Sequence, residues 1–395
     1  MKILFISALL PYPPYQGGQV RIYNLLKLLS KNHEISLLSF IRSRQEKQYV
    51  DKLNFCRIVQ TVMRGNAWQM KYIVSAGFST KPFLYATYDN DAMRKCIVRA
   101  LMENAYDLIH LEPGYVFPSL PKINIPVVVA EHNIEHTIYE GYIRRFHPFF
   151  LRPLLYWDIL KMQRWEKRAW RRAQSVVAVS EDDASSIRST VPETNVYVVP
   201  NGVDGAQFTF RPKRTIEKRL LFVGYFGWIQ NTDALAYLLD HIWPAIIRVH
   251  PDATLRVIGK RLSPVLQGKI ASISGSYKDY TEDIAKEYHD ADILLAPVRI
   301  GGGTRYKILE AMASGLPVIT TSIGASGLSI EDKKEVLIAD TPIETAHALT
   351  EIVLNAKLRL EMITRARQVV EDRYSWSRLA KLLEGVWRHA KTNSR

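Results

Sequence analysis

The residues best suited to chemistry lie in one stretch, Leu294 to Thr320, which reads LLAPVRIGGGTRYKILEAMASGLPVIT. Gly301, Gly302 and Gly303 let backbone N–H groups come close to an anion. A helix follows them, and its positive end faces the same place. Thr304 is expected as its N-cap and Gly315 as the residue just past its end, with Pro317 barring continuation. Lys307 and Glu310 stand one turn apart on this helix. A phosphate cradle with a carboxylate a turn or two beyond suits a nucleotide, the diphosphate at the helix end and the ribose hydroxyls at Glu310. The competing reading of Glu310 is a solvent-facing glutamate paired with Lys307.

Other polar groups stand where apolar runs end. Gly17 and Gly18 lead from one such run into a helical pattern that includes Arg21. His110 sits in Leu108-Ile109-His110-Leu111-Glu112-Pro113, and His132 in Val129-Ala130-Glu131-His132-Asn133-Ile134-Glu135-His136. A lone histidine there is often a structural hydrogen-bonding residue, but two at neighbouring strand ends suggest a polar cleft. Asn133 and Glu135 suit the hydroxyls of an acceptor. Gly224 to Asp233 forms another glycine-containing loop at a strand end.

Positioning these groups requires parallel strands, because ligands of open α/β sheets bind outside the carboxyl ends of the strands. The pattern supplies them. Ile3–Leu10 is a near-continuous apolar run, Val20–Asn32 has helical spacing, and Glu34–Phe40 is a second strand, together a βαβ unit. Strands are also expected at 107–111, 125–130, 175–180 and 196–200. A second series starts at Arg219 and continues at 253–258, near Gly275, at 291–296 and at 318–321. Two runs of alternation imply two doubly wound domains. The segment 200–218, rich in Pro, Gly and Arg, reads as the linker.

Bulk composition agrees. A chain of 395 residues is long for a single core. With 47% hydrophobic and 23% charged residues it is ordinary for a globular protein. No apolar run reaches membrane-spanning length. The first ten residues lack a cleavage site and read as a buried strand rather than a signal peptide, so a cytoplasmic location is expected. Cys56 and Cys96 form no CxxC or Cys/His cluster. His132 and His136 are four apart, but the residues between them are not the zinc-protease pattern and no third ligand follows. No metal and no resident cofactor are expected. The net charge of +14 favours anionic partners.

The sequence Lys307-Ile308-Leu309-Glu310-Ala311-Met312-Ala313-Ser314-Gly315-Leu316-Pro317-Val318-Ile319, with the later loop Gly324-Ala325-Ser326-Gly327-Leu328, resembles the nucleotide-sugar loop of family 4 glycosyltransferases. The resemblance extends over essentially the whole chain and is loosest between 43 and 106. It implies the GT-B fold: α/β, two Rossmann-like doubly wound domains facing across a cleft. Residues 1–200, with a returning helix at 375–395, would be the acceptor-side domain, and 201–374 the nucleotide-sugar-binding domain. It implies transfer of a sugar from a nucleotide-sugar donor to a glycan or lipid-linked acceptor, with retention. The resemblance also implies that no divalent metal is needed. By the same resemblance Glu310 binds the donor ribose, His132 and secondarily His110 touch the donor sugar, and Gly17 and Gly18 face the donor phosphates. Gly224, Asn231, Gly301, Gly302, Gly303, Thr304, Arg305 and Lys307 complete the donor set.

Two positions depart from the family pattern. Gly302 stands where a first glutamate is usual, and the loop 222–233 lacks the usual arginine and lysine, with Asn231 near the lysine's place. Phosphate neutralisation then falls to Arg305, Lys307, the glycine amides or Arg21. The alternatives to a transferase are a non-catalytic nucleotide-sugar-binding component of a polysaccharide assembly and a GT-B nucleotide-sugar epimerase. The latter would show paired catalytic carboxylates, and no convincing pair is found.

Residues 142–172 are dense in Arg, Lys, Trp, Tyr and Phe and poor in acids. Basic residues with interfacial aromatics suit an anionic membrane surface and a peripheral seat at the inner face of the cell membrane. An ordinary amphipathic helix with solvated arginines is the competing reading. Nucleic acid is not expected as a partner, because no recognised nucleic-acid-binding motif accompanies the patch.

Overall fold

The computed structural model describes residues 1–143, 149–300 and 305–393. The chain divides into two compact units, Met1–Pro200 with Trp376–Arg395, and Asn201–Ser375.

The first unit is built on strands β1 (Lys2–Ser7), β2 (Glu34–Ile41), β3 (Ile58–Met63), β4 (Leu108–Glu112), β5 (Val127–Ala130), β6 (Ser175–Ala178) and β7 (Asn195–Val198). They form one sheet in the order β3-β2-β1-β4-β5-β6-β7, and every pairing is parallel. Covered on both faces, the central strands are near-continuous apolar runs. The helices that matter here are α1 (Gly17–Leu29), α2 (Met70–Phe78), α3 (Glu135–Ile143) and α4 (Arg152–Arg172). Strand order reverses between β1 and β4, so the loops after those two strands diverge and open a crevice at their carboxyl ends.

The second unit repeats the plan with β8 (Arg219–Val223), β9 (Thr254–Ile258), β10 (Ser276–Lys278), β11 (Ile293–Ala296), β12 (Val318–Thr320) and β13 (Leu337–Ile338). The order is β10-β9-β8-β11-β12-β13, again parallel throughout. Its reversal lies between β8 and β11. Around it stand α5 (Ile229–Tyr237), α6 (Ile284–Asp290) and α7 (Tyr306–Ser314). The chain then closes with α8 (Trp376–Thr392), which belongs to the first unit.

Three details differ from the expectations. α1 begins at Gly17 rather than Val20, so both glycines form its first turn. β3 and β13 carry no strong sequence signal, because β3 is a mostly half-buried strand at the sheet edge and β13 is two residues long. The segment after Pro200 is not a free linker. Phe208 is buried in the second unit, Arg211 donates its N–H to the Ser314 carbonyl at 3.0 Å, and Lys213 reaches Asp292 at 2.9 Å.

Candidate active site

In the second unit the polar groups collect at the carboxyl ends of β8 and β11. Gly224 follows β8, and its N–H bonds the Ile258 carbonyl at 3.0 Å. The backbone is tight here. A Cβ on Gly259, whose φ is +148°, would lie 1.6 Å from the Gly224 carbonyl oxygen, so only glycine fits. Asn231, in the first turn of α5, donates to the Tyr225 carbonyl at 2.9 Å, which fixes its amide. Its Oδ1 then accepts from Lys307 Nζ at 2.8 Å, and the ammonium sits 4.8 Å from the centre of the Phe222 ring. Burial, with Arg305 adding repulsion and Glu310 partly offsetting it, pulls the Lys307 pKa down to about 7. An amine so placed is poised to gain a proton when an anion arrives.

Glu310 is neither solvent-facing nor paired with Lys307. Tyr288, buried on α6, donates its hydroxyl to Glu310 Oε2 at 2.7 Å. Burial raises the Glu310 pKa, against the Tyr288 hydrogen bond and Lys307, which both lower it. The same carboxylate pushes Tyr288 further above its usual value, after burial. α7 ends as its sequence requires, with Gly315 at φ +76° in the left-handed region. Arg305 stands at the N-cap position. Gly301, Gly302, Gly303 and the expected cap Thr304 lie outside the described residues.

One cation was not singled out from the sequence. Arg299, three residues past β11, makes a two-pronged ion pair with Asp233 (3.1 and 2.7 Å) and lies 4.1 Å from the Tyr237 ring centre. It ties the start of the glycine loop to α5. Its partners are more than sixty residues away, so spacing carries no trace of them.

In the first unit Glu112, the last residue of β4, is the hub. It is fully buried and accepts from Arg21 Nε at 2.7 Å, His110 Nε2 at 3.0 Å and His132 Nε2 at 2.8 Å. Burial alone would raise its pKa. Arg21 and the two imidazoles outweigh that and hold it well below the carboxylate range. A carboxylate only accepts, so both Nε2 atoms carry the hydrogen in these bonds.

His110 is therefore not a sugar contact. It is buried and stacked on Phe5, its Nδ1 accepts from Trp387 Nε1 of α8 at 3.0 Å, and desolvation lowers its pKa despite Glu112. Arg21 is likewise unavailable to phosphate. It is buried and spans Glu112 and the Pro200 carbonyl (2.8 Å). His132 differs. It keeps partial exposure, and its ring packs against the start of α1, where a Cβ on Gly18 would come within 3.0–3.1 Å of Cε1 and Nδ1. Gly18 thus lets the helix end approach the imidazole. Glu112 fixes the ring by Nε2 and leaves Nδ1 as the acceptor of the neutral form.

Beyond His132, Asn133 is half-buried. Glu135 opens α3, and the side chain of Glu166 on α4 takes its N–H at 2.8 Å. Burial and the Glu166 charge lift the Glu135 carboxyl to about 8. Glu131 is structural: Trp170 Nε1 reaches it at 2.8 Å and the Gly114 N–H at 3.3 Å. Among the described residues no three His, Cys, Asp or Glu side chains are grouped to hold a metal ion. No helix among them is long and apolar enough to cross a membrane.

Comparison with known proteins matches residues 15–207 to Glycosyltransferase Family 4 and residues 217–355 to Glycosyl transferases group 1. An uncharacterized 44.6 kDa protein in the cps region of Klebsiella pneumoniae is 22% identical over 94% of this chain and 96% of its own length. Phosphatidyl-myo-inositol mannosyltransferase of Mycobacterium tuberculosis is 23% identical over 75% of this chain and 77% of its own. Among solved structures, sucrose-phosphate synthase of Thermosynechococcus elongatus superposes with a TM-score of 0.77 at 14% identity, covering 98% of each chain. HepE of Anabaena, in complex with UDP and glucose, gives 0.68 at 14% identity over 98% of this chain and 99% of its own. With two parallel sheets of this order, and family matches that together run from residue 15 to residue 355, the chain belongs to the family 4 glycosyltransferases of GT-B fold.

Proposed function

We propose that this glycosyltransferase takes a sugar from a nucleoside diphosphate sugar and passes it to a glycan or lipid-linked acceptor, with retention at the anomeric carbon and without a divalent metal. The observation that carries the donor assignment is the pair Lys307 and Glu310 on α7, one held by Asn231 and the other by Tyr288. When the glycosidic C–O bond breaks, negative charge builds on the leaving diphosphate. Lys307 and the amino end of α7 stabilise that charge where it develops. Glu310 accepts hydrogen bonds from the ribose hydroxyls, with Tyr288 fixing the carboxylate. The new bond forms to an acceptor hydroxyl oxygen, whose proton is released.

In the first unit His132, oriented by Glu112, is the contact for the transferred sugar, and Asn133 and Glu135 bind acceptor hydroxyls. The UDP bound to HepE and the lipid-directed name of the mycobacterial relative support this reading without specifying base, sugar or acceptor here. The basic aromatic segment 142–172 supports a peripheral seat on an anionic membrane.

Thermal-shift titration with UDP, GDP, ADP and their sugars tests the donor site. One nucleotide class should stabilise the protein, and Glu310→Ala should lower kcat/KM for its sugar by about ten- to hundredfold, the value of a hydrogen bond to a charged group. No shift with any nucleotide, or full activity in Glu310→Ala, sinks the assignment.

A further inference from the structure

Two helices of the first unit carry their apolar residues on the wrong side for a protein in water. In α2, Tyr72 and Ala76 face the core, while Met70, Ile73, Val74 and Phe78 face outward, Phe78 with 93% of its surface exposed. In the first half of α4, Ile159 and Met162 are buried, whereas Leu154, Trp157 and Leu160 form an outward stripe at helical spacing, Leu154 at 67% exposure. The two helices are tied together. Lys161 of α4 donates to the Ala76 carbonyl at the end of α2 (2.6 Å), and Trp165 Nε1 donates to the Thr80 carbonyl just beyond it (2.9 Å). Trp68, 75% exposed, leans on Phe83 at the near end of α2, and the Phe83 N–H is held by Asp158 of α4.

The exposed charges on these two helices are all cationic. The outward face of α4 continues from Leu160 into Arg164, Lys167 and Arg168. α2 contains no carboxylate. Of the two on α4, Glu166 is buried, and Asp158 is engaged with the Phe83 N–H and with Lys161. An apolar face this large on a water-soluble surface marks an interaction site. Arg164, Lys167 and Arg168 edge it, so a second copy of the same face would meet it with charge repulsion. An anionic bilayer offers both complements, acyl chains for the apolar side chains and headgroup phosphates for the arginines.

We infer that α2 and the first half of α4 form one membrane-docking platform, inserting Phe78, Val74, Leu154 and Trp157 into the interface of an anionic bilayer while Arg164, Lys167 and Arg168 meet the headgroups. This rests on the anionic membrane proposed above and adds to it the surface that inserts, whose α2 part lies outside segment 142–172.

The test is flotation of the full chain with vesicles of phosphatidylcholine, with and without phosphatidylglycerol. The wild type should float only with the anionic vesicles. Phe78→Ser with Val74→Ser should lower its partition coefficient at least about tenfold, given the apolar area withdrawn from the interface. Arg164→Glu with Arg168→Glu should remove the dependence on phosphatidylglycerol. Both pairs are exposed, so circular dichroism and melting temperature should match the wild type; a variant that fails this check is replaced by Leu154→Ser with Trp157→Ser. If the wild type floats and the α2 variant floats equally well, the platform is overturned while the membrane reading of 142–172 stands. If nothing floats, both fall, and nucleotide shifts in the same preparation still report on the donor site. Concentration-dependent dimers that Phe78→Ser dissolves, without flotation, would assign the face to a second copy and also overturn the inference.

Discussion

Lys307 and His132 show how one neighbour sets the chemistry of a side chain. Lys307 is a cation whose charge is marginal at neutral pH, because burial costs its ammonium more than Glu310 returns. A diphosphate beside it would draw the proton back. The sign follows. Below about pH 7 Lys307 is charged before the nucleotide arrives. Above it, binding must take up a proton, so affinity should fall as pH rises from about 7 toward 8. Calorimetry in two buffers of different ionisation enthalpy should find close to one proton taken up near pH 8, and none in Lys307→Met. Equal affinity across that range would show that Lys307 does not face the diphosphate. His132 is governed by Glu112, which Arg21 keeps ionised inside the core, and His110 shares that carboxylate without reaching the surface.

At the scale of elements, the ends of β8 and β9 are packed backbone against backbone, with room for no side chain between them. Gly259 closes that contact and holds a left-handed φ as well. Gly259→Ala should cost the second unit about 2–3 kcal/mol or more, combining strain with a main-chain clash. Denaturant unfolding monitored within residues 201–375 reads the loss. A change under about 0.5 kcal/mol would mean that the two strand ends are free to part. α7 is legible to the residue at its carboxyl end, where Gly315 adopts the conformation that a helix stop requires. α2 had no such legibility, since its apolar residues point outward and mimic a core helix in any periodicity analysis.

At the scale of the whole molecule, the chain leaves its first unit at Pro200, builds the second, and returns with α8 to complete the first. That return is energetic as well as topological. Trp387 of α8 is wholly buried, donates to His110, and packs edge-on against both His110 and His33. Trp387→Ala should therefore destabilise the first unit by about 3–5 kcal/mol, as for other large aromatic truncations in a core. Hydrogen exchange along β1 to β7 should quicken accordingly. Unchanged protection there would mean that α8 lies on the unit without supporting it.

The sequence by itself determined the two series of parallel strands, because strands covered on both faces must be continuously apolar and the turns between them carry glycine and proline. It also marked Lys307 and Glu310, which share one helix and so one local pattern. Only the tertiary structure decided what holds them, Asn231 and Tyr288, and only it separated His132 from His110. One histidine lies within an apolar strand and the other just past one, and both bind Glu112. One is sealed by a tryptophan 277 residues away and the other is left open beside Gly18. Contacts between residues so distant in the chain leave no periodic mark, since a hydrogen bond across the fold constrains where two side chains meet and nothing about the residues between them.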